Sequence, residues 1–356
     1  MTELHRLTKR LQFSFENNLK VFQLLWEIEQ LKGSFVVSQK LSYQTIKRLK
    51  QSVLITSTGA SNRIEWNKLN DEEVEKLYNA MRIKKFKSRD EQEVGGYLEI
   101  LELVFSSYGD IAFSESSILD LHNRMLSYTE KDTGHRGKYK FGPNRVEARD
   151  SEGNVLHIVF DPTDPAMTPI EMFDLIAWTK ESIENNAIPS LLIVANFLFE
   201  FLAIHPFQDG NGRMSRILTN LLMLQCGYSR MPYVSHEAII EQNKIAYYKA
   251  LNTTQKSWKT EQEDISAWVF FFFECVIIQA KKAVALQSGE HIEFALSPKQ
   301  LQVWKLFQEQ KILTRRYIAE HTTIPYVTVG QILSKLVAMK KIEKKGERRG
   351  VVYELI

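Results

Sequence analysis

HPFQDGNGRMSR, residues 205–216, is the stretch that decides the fold, because it joins two apolar segments. Residues 189–204 are almost wholly apolar over a helical length, so they are predicted to form a buried helix that ends at His205. Pro206 prevents simple continuation of that helix. A second apolar helix is predicted from Met214 onward. The residues between them are therefore expected to form a turn between two buried helices.

The turn contains two glycines, Gly210 and Gly212, whose backbone amides are not shielded by a Cβ atom. Such a turn at a helix N-terminus exposes free N–H groups and the positive end of the helix dipole, which together bind phosphate. Arg213 and Arg216 are three residues apart, so both can point toward one anion. The pattern predicts a phosphate-binding turn.

Two further side chains of the stretch suit chemistry on a phosphate. The carboxylate of Asp209 is a hard ligand that suits Mg²⁺ bridging two phosphates. His205, with an unperturbed pKa of about 6.5, can accept a proton from a hydroxyl near neutral pH. A zinc site in which both residues bind from adjacent turns of one helix is disfavoured, because Pro206 and the glycines interrupt the helix.

HPFQDGNGRMSR resembles the Fic family motif, HxFx(D/E)GNGRxxR, and every specified position of that motif is matched. The matched residues are His205, Phe207, Asp209, Gly210, Asn211, Gly212, Arg213 and Arg216. The similarity continues through the preceding hairpin and the following segments LTNLLMLQCGY and AYYKALN, so it covers residues 110–275.

The resemblance implies a role for each matched residue. His205 would be the general base, and Asp209 would hold Mg²⁺. The backbone of residues 210–212 and the side chain of Arg213 would bind the α- and β-phosphates of ATP, and Arg216 would meet the γ-phosphate. Phe207, in the same resemblance, anchors the loop in the core.

Two further elements of the family have counterparts in this chain. Residues 145–148 and 155–159 are predicted to form a β-hairpin, which resembles the flap that pairs with an extended stretch of the target protein. The family also places a tyrosine beside the adenine. Tyr248 is the candidate for that contact, with Tyr247 and Asn252 as alternatives.

A possible inhibitory motif lies at residues 57–67, STGASNRIEWN. Ser61 and Glu65 resemble the (S/T)xxxE(G/N) motif of one class of the family, in which the glutamate pairs with the second arginine, here Arg216, and keeps it from the γ-phosphate. Trp66 stands where Gly or Asn is expected, and Asn67 follows it. The turn-forming residues at its start predict a loop that feeds a short helix near Asn62.

The composition is that of a soluble globular protein, with 44% hydrophobic and 25% charged residues. Cys226 and Cys275 both lie in apolar stretches, which argues against a disulfide framework or a cysteine metal site. The charged N-terminus does not resemble a secretory signal, and the longest apolar run is too short to cross a bilayer. We expect a reducing, cytoplasmic setting.

Helical periodicity dominates the chain, so the expected fold is mainly α: a Fic helical bundle with a β-hairpin flap. One helix is predicted over residues 236–251. The expected domains are a helical region at 1–110, which carries the inhibitory helix, a Fic core at 111–286 and a small domain at 296–356 after a linker.

The tail, residues 296–356, has 12 Lys and Arg against 5 Asp and Glu, although the whole chain carries a net charge of only +3. Three helices followed by two strands around a basic Gly-Glu-Arg-Arg-Gly turn predict a winged helix-turn-helix. The basic residues suit contacts with the phosphate backbone of DNA. The alternative is a solvated face of a protein-binding module.

The preferred function is that of a protein adenylyltransferase, which moves AMP from ATP to a Ser, Thr or Tyr hydroxyl of a target protein and is inhibited by Glu65. The alternative is a transcriptional regulator with a nucleotide-sensing Fic core. The same site could also move other phosphate-containing groups or remove AMP. Many family members form dimers, and no interface is located in this sequence.

Overall fold

The structure is a computed structural model that describes residues 4–34, 43–80, 86–144, 146–149, 155–287, 296, 298–346 and 351–356. The chain divides into two compact units. One consists of Met1–Ser38 and Lys50–Val284, and the other of Gln39–Leu49 and Ala285–Ile356. None of the described helices combines the length and apolarity that a membrane span requires.

The chain is mainly helical, as expected. The described α-helices before the tail are α1 (Arg6–Lys9), α2 (Phe15–Ser34), α3 (Tyr43–Ile64), α4 (Asp71–Ala80), α5 (Arg89–Ser107), α6 (Glu115–Met125), α7 (Thr168–Asn185), α8 (Ser190–Ile204), α9 (Asn211–Gln225), α10 (His236–Gln242), α11 (Lys244–Gln255) and α12 (Ser266–Gln287). Short 3₁₀ helices lie at Glu130–Asp132 and Met231–Tyr233.

Helix α8 forms the centre of the first unit. All of its residues from Leu191 to Ile204 are buried, as a helix that is apolar on every face requires. It packs between α7 and α9, and α5 packs against both α6 and α9. Because α8 and α9 are consecutive and buried, their connection, residues 205–210, is held at one end of the bundle.

The predicted hairpin is present. Strands β1 (Val146–Arg149) and β2 (Val155–Phe160) pair antiparallel, with Val146 opposite Phe160 and Arg149 opposite Val155. Residue 145 and the connection at residues 150–154 lie outside the described residues.

The loop predicted at the start of residues 57–67 is wrong, because α3 runs without a break to Ile64. Burial explains the difference. The Ser57 hydroxyl donates to the Ser235 hydroxyl at 2.8 Å, and the side-chain amide of Asn62 donates to the carbonyl of Thr58 at 2.9 Å. A contact with another element at Ser57 and a bond within α3 at Asn62 therefore satisfy polar side chains that would otherwise favour a turn.

Two other helix bounds differ from the sequence prediction. The single helix expected over residues 236–251 is divided into α10 and α11 at Asn243, whose side-chain amide donates to the carbonyl of Ile239 at 2.9 Å. Helix α9 begins at Asn211 rather than Met214, because Gly210 takes the left-handed conformation that starts it.

The tail contains α13 (Pro298–Glu309), β3 (Ile312–Leu313), α14 (Arg315–Glu320), α15 (Tyr326–Ala338), β4 (Ile342–Lys345) and β5 (Val352–Leu355). The sequence did not predict the short strand β3. The strands form a sheet in the order β3-β5-β4, in which neighbouring strands are antiparallel. The tail has its own apolar core, which includes Val303, Phe307 and Leu333. The linker at 288–295 and the turn residues 347–350 lie outside the described residues.

Candidate active site

The turn between α8 and α9 is closed by Asn211. Its side-chain oxygen accepts from the backbone N–H of Phe207 at 2.8 Å, and its amide donates to the carbonyl of the same residue at 2.7 Å. Gly210 has φ +80°, which a residue with a Cβ rarely adopts. The turn is therefore fixed by its own sequence, and α9 starts immediately after it.

His205 caps the C-terminus of α8 in a left-handed conformation, with φ +53°. Its Nδ1 lies 3.3 Å from the carbonyl oxygen of Leu202, which can only accept. Nδ1 therefore carries the proton, and the lone pair of Nε2 is available. Burial lowers the pKa of His205 to about 4, although the residue is only half-buried by exposed area. The imidazole is neutral at pH 7 and can accept a proton.

A second histidine, which sequence reasoning missed, supports the turn from α6. His122 is fully buried and stacks on Phe207, with ring centroids 3.7 Å apart and an interplanar angle of 6°. Its Nδ1 accepts from the N–H of Gly137 at 2.9 Å, so its Nε2–H donates to the carbonyl of Asp209 at 3.0 Å. His122 thereby fixes both the buried Phe207 and the backbone of Asp209.

The carboxylate of Asp209 is surrounded by donors. One oxygen accepts from the N–H of Gly210 at 2.7 Å, and the other lies 3.2 Å from Arg213 and 3.3 Å from Arg89. Burial alone would raise the pKa of Asp209, but Arg213 and the Gly210 N–H outweigh it and lower the pKa. The group is ionised, and 40% of its side chain is exposed, so it remains accessible.

These features fit a magnesium ligand. Mg²⁺ is commonly held by one or two carboxylates together with substrate phosphates. Among the described residues, no group of three or more His, Cys, Asp or Glu side chains is placed to hold a metal ion. A cation at Asp209 would therefore take its other ligands from phosphate oxygens and water.

Arg213 and Arg216 are both buried at the start of α9. Arg213 pairs with Asp209 and lies 3.5 Å from Glu93 of α5. Its Nε and Nη1, and Nη1 of Arg216, have no hydrogen-bond partner within the described part of the chain. Buried guanidinium N–H groups without acceptors are costly, and an anion at the turn would satisfy them.

The last turn of α3 lies against Arg216. The Ser61 hydroxyl accepts from Nε of Arg216 at 2.8 Å, and the Glu65 carboxylate accepts from Nη2 at 2.9 Å. Burial disfavours the charged guanidinium, but Glu65 more than offsets this and raises the pKa of Arg216 above its usual value. The two residues singled out in the sequence, Ser61 and Glu65, are thus joined to the second arginine of the motif.

Glu65 also covers the glycine turn. A Cβ placed on Gly212 would lie 2.1 Å from Oε1 of Glu65 and 3.3 Å from Nη1 of Arg216. A carboxylate therefore sits directly over the residue whose amide the sequence assigned to phosphate. Any anion placed there competes with Glu65 for both the turn and Arg216.

The three aromatic residues next to Glu65 differ in exposure. Trp66 is 80% exposed in a left-handed conformation, with φ +68°, and the Lys244 ammonium lies 3.8 Å from its ring centre. Tyr248 is half-exposed, and its hydroxyl lies 3.4 Å from the carbonyl of Ile64. Tyr247 is buried. Of the tyrosines considered for adenine, Tyr248 alone combines exposure with a contact to the end of α3.

The sequence held no signal for His122, Arg89 or Glu93. They belong to α5 and α6, outside the motif, and their positions become meaningful only when these helices pack beside α9. Asn252 is exposed on α11.

Comparisons with known proteins agree with this architecture. The Fic/DOC family matches residues 112–223. The protein adenylyltransferase Fic of Drosophila mojavensis is 30% identical over 158 residues, which are 44% of this chain and 26% of that protein. The protein adenylyltransferase and cysteine protease IbpA of Histophilus somni is 28% identical over 102 residues, which are 28% of this chain and 2% of that protein. The chain thus spans about a quarter or less of these relatives.

Solved structures show the same fold. A Fic family protein from Desulfovibrio desulfuricans G20 aligns with a TM-score of 0.60 at 20% identity, over 94% of this chain and 95% of its own. Fic-1 from C. elegans aligns with a TM-score of 0.59 at 18% identity, over 76% of this chain and 74% of its own. With the family match at residues 112–223, this part of the chain is a Fic/DOC-type domain.

Proposed function

We propose that this protein is an adenylyltransferase that moves AMP from ATP to a hydroxyl side chain of a target protein. The observation that carries the proposal is the arrangement of functional groups within residues 205–216. A neutral histidine with an available Nε2 is followed, within eleven residues, by a glycine turn and two buried arginines, each of which keeps at least one N–H group without a hydrogen-bond acceptor among the described residues. A base and an anion site so close together suit transfer of a phosphate-containing group.

In the proposed reaction, the hydroxyl oxygen of the target attacks the α-phosphorus of ATP. The new O–P bond forms as the bond from the α-phosphorus to its bridging oxygen breaks, and pyrophosphate leaves. The hydroxyl proton passes to Nε2 of His205. The N–H groups of residues 210–212 and the guanidinium of Arg213 hold the α- and β-phosphates, and Arg216 meets the γ-phosphate.

Mg²⁺ is proposed to bind at Asp209, where it would neutralise charge on the phosphates. Arg89 and Arg213 both lie within hydrogen-bond distance of one Asp209 oxygen and help to keep the carboxylate ionised. Tyr248 is proposed to contact the adenine, because its ring is accessible next to the end of α3.

Glu65 is proposed to inhibit this reaction. Its carboxylate occupies Nη2 of Arg216 and covers Gly212, so ATP can place its γ-phosphate only after Glu65 has moved. The proposed target is a protein, whose extended segment would pair with the β1–β2 hairpin and present a Ser, Thr or Tyr hydroxyl.

Mass spectrometry of the Glu65→Gly variant after incubation with ATP and Mg²⁺ tests the function. We expect a mass increase that corresponds to AMP on the chain itself or on an added target. Label from α-labelled ATP should be retained, and label from γ-labelled ATP should not. The same variant with His205→Ala should remain unmodified. Retention of γ label would instead indicate kinase-like chemistry, and no modification at all would refute the proposal.

The tail supports a second proposal, that the protein also binds DNA through a winged helix-turn-helix. The order of its elements and its excess of basic residues favour this. Part of the charge is engaged within the tail: Arg315 donates to the carbonyl of Tyr326 at 2.8 Å, and Arg316 pairs with Glu320 at 2.7 Å. A gel shift with the full chain and nonspecific duplex at low salt tests the proposal, and free duplex throughout would remove it.

A further inference from the structure

Four consecutive carbonyl oxygens at the end of α8 accept hydrogen bonds from the segment that leads into the hairpin, and they belong to Ile204, His205, Pro206 and Phe207. Lys140 donates from Nζ to the first at 2.9 Å and from its backbone N–H to the third at 2.8 Å. Asn144 donates from Nδ2 to the second at 3.2 Å and to the fourth at 2.6 Å. Two residues thus bond to every carbonyl of this stretch.

The two residues are also joined to each other. Nζ of Lys140 donates to Oδ1 of Asn144 at 2.9 Å, which orients the amide so that its NH₂ group faces the carbonyls. Lys140 is only 4% exposed, and among the described residues no carboxylate lies within 4 Å of its ammonium. Burial of a cation without an ion-pair partner is costly, and neutral oxygens offset that cost here.

His205 needs such support because of its backbone. Its left-handed conformation costs a residue with a side chain about 1–2 kcal/mol. The last carbonyls of a helix lack partners within the helix, and Pro206 has no N–H with which to continue it. Without Lys140 and Asn144, the turn could relax toward an extended conformation at His205, which is the conformation that a residue before proline favours. The imidazole of His205 would then point in a different direction.

We infer that Lys140 and Asn144 are positioning residues, which hold the backbone at His205 so that Nε2 is aimed at the attacking hydroxyl. This inference rests on the proposed function. Their hydrogen bonds go to the carbonyls of residues 204–207, and none of them goes to residues 210–212 or to the arginines in the described structure, so we expect both residues to act on the orientation of the base more than on the grip on the phosphates. The ammonium of Lys140 also disfavours protonation of His205, in agreement with the low pKa of that imidazole.

The test compares Lys140→Met, Lys140→Arg and Asn144→Asp in the Glu65→Gly variant. Asn144→Asp keeps the size of the side chain and removes its two donated bonds. Lys138→Met is the matched control, because Lys138 is exposed in the same segment and its loss changes the charge equally. Misplacement of a catalytic group by about 1 Å costs on the order of a hundredfold in rate. We expect kcat to fall by about tenfold or more in Lys140→Met and Asn144→Asp.

The KM for ATP should stay within about twofold of the parent, Lys140→Arg should recover part of the loss, and Lys138→Met should match the parent. The inference would be overturned if kcat were unchanged in both Lys140→Met and Asn144→Asp, or if these variants differed from the parent only in a higher KM. Thermal unfolding of each variant identifies any that fail to fold. If Lys140→Met fails to fold, the kcat of Asn144→Asp alone tests the inference.

A second readout does not depend on transfer. The ¹⁵N shifts of the His205 imidazole report which nitrogen carries the proton, and they should move toward a mixture of tautomers in Asn144→Asp but not in Lys138→Met. If the parent transferred no AMP but the shifts were altered in Asn144→Asp, the positioning role would be upheld and the proposed function would fail. Unaltered shifts would count against the positioning role itself.

Discussion

The two ends of residues 205–216 are held by different kinds of contact. At the His205 end, the side chains of His122, Lys140 and Asn144 donate to backbone carbonyls. At the other end, the side chain of Arg216 is held by the last turn of α3, where the Glu65 carboxylate remains 38% exposed. The His205 end, whose geometry the proposed reaction requires, is thus fixed by hydrogen bonds to its backbone. At the Arg216 end, a competing anion can displace the half-exposed Glu65 carboxylate from Arg216.

A left-handed residue other than glycine is found at the His205 end and also just after α3, the helix that holds the Arg216 end. His205 has φ +53° and is supported by hydrogen bonds to the carbonyls around it. Trp66 has φ +68°, and its exposed ring contacts the Lys244 ammonium. The same backbone cost is therefore offset by several buried bonds at one end and by a surface contact at the other. The α3 end is the one we expect to change conformation.

The largest effect is expected at the His205 end. In the Glu65→Gly variant, His205→Asn should lower the rate of AMP incorporation by at least about 100-fold, because a general base contributes on the order of 10²–10⁴. Initial rates with α-labelled ATP measure this. His321→Asn in the tail is a suitable control, since the ring stacks on Tyr317 of the tail's own helix α14. Retention of a tenth of the rate or more would show that His205 is not the base.

The next effect concerns the Arg216 end. Glu65→Gln keeps the size of the side chain and removes its charge, so the competition for Arg216 weakens. A hydrogen bond to a charged group contributes about 1.5–3 kcal/mol, which corresponds to roughly tenfold or more in affinity for ATP. Isothermal titration with ATP and Mg²⁺ should show this tightening. Glu72→Gln, an exposed change on α4, should leave the affinity unchanged.

If Glu65→Gln bound ATP no more tightly than the parent, the contact with Arg216 would be only structural. The contrast between the two ends would then disappear. Tighter ATP binding without faster transfer would place the limiting step at the His205 end.

The sequence predicted the turn and proposed its candidate functional residues because they lie within one short segment, where glycine, proline and helix ends have local consequences. Glu65 was connected with Arg216 through the family motif. The continuous helix up to Ile64 was missed because its serines, threonine and glycine favour turns in isolation. Only burial against other elements, such as the bond from Ser57 to Ser235, reverses that preference.

His122, Lys140 and Asn144 could not be predicted, for a related reason. Each acts on backbone carbonyls of a segment more than 60 residues away in the chain. Any residue can provide a carbonyl, so such contacts leave no residue-type pattern at the receiving end. The supports of the motif become visible only after folding.

Protonation gives a smaller effect, confined to the His205 end. Burial lowers the pKa of His205 to about 4, against about 6.5 in an unfolded chain. The folded state therefore favours the neutral imidazole, and this contribution to stability is complete above pH 6.5 and is lost as the pH falls toward 4. Between pH 7 and 5.5 it should fall by about 1 kcal/mol.

Urea unfolding of the parent and of His205→Asn at both pH values measures this contribution. The free energy of unfolding of the parent should decrease more than that of the variant, by about 1 kcal/mol. Equal decreases would mean that His205 titrates normally and is open to water. Changes at the other buried histidines, His122 and His236, cancel in this difference because both proteins retain them.

The smallest net effect is expected at Trp66. Trp66→Gly removes a left-handed strain of about 1 kcal/mol but also a cation–π contact of about 0.5–1 kcal/mol, so the free energy of unfolding should change by less than about 0.5 kcal/mol. Trp66→Ala loses the contact and keeps the strain, so it should be less stable than Trp66→Gly by about 1 kcal/mol. Denaturant unfolding of the pair measures the strain directly. If the two variants were equally stable, the α3 end would hold no strain to release, and the mobility we assign to Glu65 would have to come from the Arg216 ion pair alone.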